Sequence, residues 1–481
     1  MFTFFKPRKN PMPQLRLYNT LSDKVEPFLP LKNGEVRMYS CGPTAYDRQH
    51  IGNLFPPVAA DTVHRALLTW GYKVKQVINI TDFGHISEDD AGEDKMTKGL
   101  RKDGMALTLE NMRALAEKYA ALFFLDLPDI GIDPSKIKFP RASDYIPDQI
   151  ALIKSLEQKG YAYTISDGVY FDTSKFHHYG KLGHINLEGQ LAGARVEEQK
   201  EKKTSYDFAL WKFDQKLGWE SPWGLGFPGW HTECVAMIFA LLGKQIDIHM
   251  GGVDLVGTHH NNEIAQAEAL TDKKYVGYWL HNAHITIENK KVSKSLGNTV
   301  YLHNLTDRGI SSRALRYWFL TGHYRTPMNF TWEAIEGANT ALQRLQKYFF
   351  EELSQAGLGE PNAKFLDKFY NAIAEDLNTA KALAHVWDLI KDHSISPTEK
   401  RASLLLADKL LGLGLSEKRA YSKITITRES DLPEDIRRLV RERDDARLDK
   451  NFNKSDELRI AIEKAGFEVK DTKEGQKLTK R

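Results

Sequence analysis

At 481 residues the chain has room for about three domains of ordinary size and a large buried core, so it needs no disulfide or metal staple to fold. Hydrophobic content of 41% and charged content of 27% are those of a globular chain, and no run approaches the roughly 18 apolar residues of a membrane span. A net charge of +3 does not by itself announce a nucleic-acid partner, and two cysteines cannot make a disulfide framework, which points to a reducing, cytoplasmic setting.

The first residues carry a short Phe-Thr-Phe-Phe patch before Lys6, Arg8 and Lys9, too short for the roughly 7 to 15 apolar residues of a secretory signal. Residues 15–71 read as strand, loop, strand (Val36 to Ser40), glycine-bearing loop and a helix over Val58 to Trp70. Lys73 to Ile80 is a further strand ending in Thr81-Asp82, where a βαβ unit places binding residues. Leu107 to Leu125 is helical by pattern, and residues 128–147, punctuated by Pro, Gly and Asp, read as a connection. From Ile150 to Gly226 a helix (150–159) and short strands around 161–164 and 168–171 suggest an insertion. The sheet resumes with a helix over 231–242, a strand over 245–250, a loop over 251–258 and a helix from His259. The expected fold is therefore α/β: a Rossmann-like doubly wound parallel sheet split by an insertion, then an α-helical bundle and a small C-terminal module. The bundle is read from 3.6-residue apolar periods over 311–320, 332–353, 363–390 with an interruption near Asp376, and 397–413. In residues 431–481, Arg437, Arg438, Arg441, Arg443, Arg447, Lys450 and Lys454 interleave with acids, most simply a solvated helix face.

Three stretches carry chemistry. Residues 41–53, Cys-Gly-Pro-Thr-Ala-Tyr-Asp-Arg-Gln-His-Ile-Gly-Asn, join a strand to a helix, the arrangement that cradles phosphate with amide groups and a helix dipole. His259 and Glu263 stand four apart, so a helix projects both from one face, the spacing of paired zinc ligands. Cys41 and Cys234 would complete a set of sulfur, nitrogen and oxygen donors, although Cys234 also lies on the apolar side of its helix and on spacing alone reads more readily as inert core. Lys291 to Asn298 sets two lysines, two hydroxyls and a glycine in a loop able to bring charge to a developing anion. Neither a Walker A pattern nor a G-x-G-x-x-G fingerprint is present.

In their order these pieces resemble the class I aminoacyl-tRNA synthetases, and among them the cysteinyl-tRNA synthetases, over nearly the whole chain. His50-Ile-Gly-Asn53 is similar to the HIGH signature, and Lys291-Val-Ser-Lys-Ser295 to KMSKS. The cysteine-specific marks are residues 41–47, Gly-Trp-His-Thr-Glu-Cys (229–234), Asp-Ile-His-Met-Gly-Gly-Val-Asp (247–254) and His-His-Asn-Asn-Glu-Ile-Ala-Gln (259–266). The resemblance implies one Zn²⁺ per chain on Cys41, Cys234, His259 and Glu263, binding the thiolate of substrate L-cysteine. It places Thr81, Trp230 and His249 around the amino acid. ATP falls to His50, Asn53, Gly251, Gly252, Asp254 and Lys294, with Mg²⁺ accompanying it and His50, Asn53, Lys291 and Lys294 serving the chemical step. It implies tRNA(Cys) as partner and a monomer without membrane association.

The same resemblance divides the chain into catalytic halves (15–130 and 227–290), a connective insertion (131–226), a signature-loop and stem-contact region (291–340), a tRNA-binding bundle (341–418) and an anticodon-side module (425–481). Two other readings share some motifs. A cysteine ligase acting on an amino sugar would use the same adenylate but lacks the Arg-rich tail, and a zinc-structured RNA-binding protein without catalysis would have no use for the Lys294 loop.

Overall fold

The computed structural model describes residues 11–84, 94–185, 201–292, 297–415, 417, 432–472 and 475–480. An N-terminal hairpin of β1 (Arg16–Asn19) and β2 (Lys24–Pro27) leads into β3 (Glu35–Ser40), α1 (Ile51–Thr69) and β4 (Lys73–Ile78). Helix α1 begins seven residues earlier than its apolar period suggests. Pro56 and Pro57 sit inside it, each removing one intrahelical amide donor, and they mask the helix in the sequence. Helices α2 (Lys95–Lys102) and α3 (Leu109–Asp129) follow, α3 opening where the Thr108 side chain accepts from the Asn111 amide.

The stretch read as a bare connection holds a two-residue strand, β5 (Ile137–Lys138), which pairs in parallel with β4. After α4 (Ile146–Gln158), strands β6 (Ala162–Ile165), β7 (Gly168–Phe171), β8 (Phe208–Phe213) and β9 (Gly226–Pro228) form an antiparallel sheet of their own. Only the first two of those four were visible in the sequence. Helix α5 (Trp230–Leu241), β10 (Ile246–Gly252), α6 (His259–Thr271) and β11 (Val276–Asn282) return the chain to the main sheet.

That sheet has the order β11-β10-β3-β4-β5 and is parallel throughout. The strand order reverses between β3 and β10, so the crevice beyond their C-terminal ends is the topological switch point where open α/β sheets bind ligands. There the Cys41 amide donates to the Met250 carbonyl at 3.0 Å. A small sheet of β12 (Ile285–Ile287), β13 (Lys290–Lys291) and, further along, β14 (Met328–Phe330) lies beside it, with α7 (Leu302–Asp307) and α8 (Ser312–Thr321) between.

Helices α9 (Trp332–Lys347), α10 (Ala363–Ala374), α11 (Thr379–Lys391) and α12 (Pro397–Leu411) make the bundle. Helix α12 starts with a capping box of Ser396 and Glu399 and Pro397 in its first turn, and ends at Gly412 in the left-handed region. The interruption near Asp376 is real. Asp376 and Leu377 both hold positive φ, and the Asp376 carboxylate accepts from the Tyr18 amide, Tyr324 hydroxyl and Arg325 guanidinium at 2.7 to 2.9 Å, tying the bundle to β1.

Helices α13 (Glu434–Leu448) and α14 (Phe452–Lys464) with the hairpin β15 (Phe467–Thr472) and β16 (Gly475–Lys480) form the C-terminal module. Its Ile436, Val440, Ile462, Phe467 and Val469 pack in a core separate from the main one. The basic face expected to be solvated is partly interior: Arg443 is 1% exposed and grips Asp471 with both nitrogens at 2.7 and 2.8 Å. Among the described residues no helix is long and apolar enough to cross a membrane.

Candidate active site

Four elements converge at the switch point. Cys41 follows β3, Cys234 faces inward from the second turn of α5, His259 is the first residue of α6, and Glu263 lies one turn further on the same face. Gly42 lets the loop after Cys41 press on the end of β4: a Cβ there would lie 1.7 Å from the Asn79 carbonyl oxygen. One donor atom from each of Cys41, Cys234, His259 and Glu263 lies within 4.8 Å of all the others. The His259 Nε2 is 3.6 Å from the Cys234 sulfur and 3.0 Å from a Glu263 oxygen. Two thiols, an imidazole and a carboxylate at these separations are a donor set that a tetrahedral, borderline-soft ion such as zinc takes. A second grouping, Cys41, His249, His260 and Glu263, overlaps it.

The electrostatics favour positive charge at the centre of this cluster. Burial resists charge on His259, yet its bonds to Cys234 and Glu263 outweigh that and lift its pKa to about 10. Burial likewise works to raise Glu263, and the facing His249 and His259 overcome it, bringing the carboxyl down to about 2. The Cys234 thiol is pushed well up, first by its bond to Cys41 and then by burial. Glu263 and His259 are at most 1% exposed, so the attraction acts where water screens it little.

The other expected residues divide into those brought to the cluster and those set apart. Thr81 is buried, donates to Glu233 at 2.9 Å and is thereby tied to the helix carrying Cys234. The Trp230 ring lies over His259 with centroids 4.3 Å apart and borders a cavity of about 230 Å³ shared with His231, Thr258, Tyr206 and Phe208. His249 sits behind Glu263, its Nε2 at 2.9 Å from the carboxylate and its ring stacked on Trp279. His50 caps α1 and pairs through its backbone with Tyr301, while the Ile51 amide is taken by the Val300 carbonyl. Asn53 is exposed and donates to Gln49 at 2.8 Å. No acidic residue stands in the first turn of α1 to oppose an anion. Gly251 is buried against the His260 ring, which a Cβ would approach to 2.8 Å, and Asp254 is exposed in a single turn after Gly252. Lys291 is exposed at the end of β13; Lys294 lies outside the described residues.

Comparison with known proteins fits this arrangement. Residues 27–340 match the family described as the tRNA synthetases class I (C) catalytic domain, residues 368–412 the DALR domain, and residues 429–477 the cysteinyl-tRNA ligase anticodon binding domain. A cysteine–tRNA ligase 1 of Burkholderia lata is 42% identical over 96% of this chain and 96% of its own length. The chain belongs to the cysteine–tRNA ligase family. Other similar members of that family are those of Chlamydia muridarum, 40% identical over 97% of this chain and 99% of its own, and Treponema denticola, 39% identical over 95% and 98%. Among solved structures, an Agrobacterium radiobacter K84 LeuRS in a ternary complex with tRNA and LeuAMS aligns with a TM-score of 0.60 at 11% identity, covering 80% of this chain and 84% of that one. The Mycobacterium tuberculosis methionyl-tRNA synthetase bound by methionyl-adenylate aligns at 0.54 and 14%, covering 79% and 90%. At such identities the likeness is one of fold.

A ring of residues around this cluster escaped the sequence reading. His231 meets His259 across their Nδ1 atoms at 2.8 Å, His260 lies 3.4 Å from the Cys41 sulfur and 2.8 Å from His281, and His281 in turn meets Thr20 at 2.7 Å. Such partners fix the ring orientation of a ligating histidine. The adjacent pairs Trp230-His231 and His259-His260 were the available signal; His281 and Thr20 had none, because only the packing of β1 against β11 brings them in.

Proposed function

We propose that this protein attaches L-cysteine to tRNA(Cys) in two steps. The cysteine carboxylate attacks the α-phosphorus of ATP, giving cysteinyl-adenylate and pyrophosphate. The 3′-terminal ribose hydroxyl of the tRNA then attacks the adenylate carbonyl and AMP leaves. The observation carrying this reading is the convergence of Cys41, Cys234, His259 and Glu263 at the switch point of a class I catalytic fold.

Those four residues would hold Zn²⁺, which supplies a thiophilic contact for the substrate sulfur that a serine hydroxyl matches poorly. Trp230 covers His259 and would wall the amino-acid side. Thr81 would orient Glu233 and the start of α5, and His249 would hold Glu263 as an anion from behind. His50 and Asn53 would contact ATP phosphates at the N-terminus of α1, with Mg²⁺ accompanying the nucleotide. Gly251, Gly252 and Asp254 would bound the adenosine. Lys291 and Lys294 would bring charge to the departing pyrophosphate, so the step relies on positioning and electrostatics rather than a covalent enzyme intermediate.

Residues 15–130 and 227–290 then act as the catalytic halves, with 131–226 as the insertion and 291–340 as the loop and stem-contact region. Residues 341–418 would bind tRNA as a bundle and 425–481 would serve the anticodon side, in the cytoplasm. The match of residues 429–477 to an anticodon binding domain argues against an amino-sugar acceptor. Cysteine-dependent ATP–pyrophosphate exchange tests the reading: label should exchange with cysteine and not with serine, and stop on zinc chelation. Exchange with neither amino acid would refute it.

A further inference from the structure

The C-terminal module, with its own core, touches the catalytic body at the loop that carries His50. Arg48, two residues before His50, is 5% exposed. Its guanidinium donates through one nitrogen to Asp126 of α3 at 3.1 Å and through another to Asp456 of α14 at 3.0 Å. The rest of the loop is set side chain by side chain. The Arg48 amide donates to the Asp47 carboxylate at 2.8 Å, Lys102 donates to the same oxygen at 2.9 Å, and Gln49 bridges the Asp47 carbonyl and the Asn53 amide at 3.0 and 2.8 Å. The module also reaches His50 from the other side, because β15 packs on α7, and α7 is capped by the Tyr301 that pairs with His50.

We infer that Arg48 is a positioning residue for the ATP end of the site and that Asp456 of the C-terminal module holds it in place. A guanidinium this buried keeps its position only while its charge is compensated. Removing Asp456 leaves Asp126 alone, whose second oxygen is itself buried without a partner, and frees the loop between Asp47 and Asn53 to shift. Other described contacts between module and body include Asn453 to Asp103 at 3.2 Å, Glu457 to Lys118 at 3.6 Å and Arg447 to Asp307 at 3.6 Å, and Ile460 of α14 packs on the main core. A module docked in this way links its own placement to the order of the ATP loop, and by reciprocity ATP favours the docked module. The inference rests on the reading of His50 and Asn53 as ATP contacts.

The test uses the full chain, without tRNA, in cysteine-dependent ATP–pyrophosphate exchange. Asp456→Asn should raise the KM for ATP roughly 3- to 10-fold while the KM for cysteine stays at its wild-type value, whatever fall in the melting midpoint the lost partner of a buried cation brings. Asp456→Glu should restore most of the loss, and Glu457→Gln, at the same interface but away from the loop, should change nothing. An unchanged KM for ATP in Asp456→Asn overturns the inference, as does an equal loss toward cysteine and ATP accompanied by a lower melting midpoint. Absence of exchange in the wild type would instead overturn the proposed function, and this inference with it.

Discussion

Around Glu263 the side chains come from the end of β3, from β10, α5 and α6, pack into one large core and are mostly buried; around Arg443 two helices and a hairpin enclose a small core and meet the rest of the chain largely through charged contacts. The first region is fixed from many directions, since moving any donor disturbs a strand or helix of the main sheet. The second meets the body through ion pairs, whose strength falls with salt, besides the packing of β15 on α7 and of Ile460 on the main core. A site proposed to discriminate sulfur from oxygen would gain from rigidity, whereas a module proposed to follow a long RNA would gain from an adjustable seat. Arg48 joins the catalytic body to the module, pairing with Asp126 on one side and Asp456 on the other.

This contrast can be broken most severely at the cluster. Cys234→Ala should raise the KM for cysteine by at least about 100-fold and lower zinc content measured by atomic absorption, since loss of a ligand exceeds the effect of losing a supporting partner. Retained zinc with normal kinetics would remove Cys234 from the site. Lys294→Ala should lower the exchange kcat by roughly 10²- to 10³-fold with little change in the KM for cysteine, because its charge is proposed to act on the transition state. A matching rise in the KM for cysteine would reassign it to ground-state binding.

The rigid side of the comparison has a stability test. Arg316 is fully buried and pairs with Asp61 of α1 at 2.7 Å, burial bringing its pKa down to about 10. Asp61→Ala strands that cation beside Arg65 and should cost about 3 kcal/mol in urea unfolding; a loss below about 1 kcal/mol would mean that the site relaxes.

The adjustable side has a smaller, pH-dependent test. His303 of α7 lies near Arg48, Arg459, Arg447 and Asp471, its Nδ1 buried without a partner. Burial first, and then the two nearest arginines, hold its pKa at about 3. Unfolded, it takes up a proton near pH 6.5, so its contribution is present above that pH and is lost as pH falls from about 6.5 toward 3. Asp471 is raised by burial but lowered more by Arg443 and Arg447, so its contribution is present above the unfolded carboxylate value of about 3.9 and is lost as pH falls below it. Protection factors in α13 and α14, corrected for the intrinsic exchange rate at each pH, should therefore fall from pH 7 to pH 5, and His303→Gln should flatten that response. Equal protection at both pH values in the wild type would contradict it.

Much of the cluster was legible because its chemistry is local. The four-residue spacing of His259 and Glu263 survives any rearrangement of the rest, and rare cysteines stand out in a long chain. What brought four distant stretches into one site was the ordered set of family motifs, since on spacing alone Cys234 read more readily as core. The strand β5 escaped notice because two residues have no period, and α1 was shortened by prolines that the helix accommodates. Arg443 looked solvated because charge in a sequence says nothing about a partner 28 residues away that lets it be buried. His281 and Arg48 show the same limit: their roles exist only in the packing.

Cysteine-dependent ATP–pyrophosphate exchange, run with serine in parallel on the wild type and on Cys234→Ala, addresses the central claim most directly. Rapid exchange with cysteine alone, abolished by chelation, restored by zinc and lost in the variant, is the predicted result. Equal exchange with serine, or full activity in Cys234→Ala, would contradict the assignment of amino-acid selection to the cluster at the switch point.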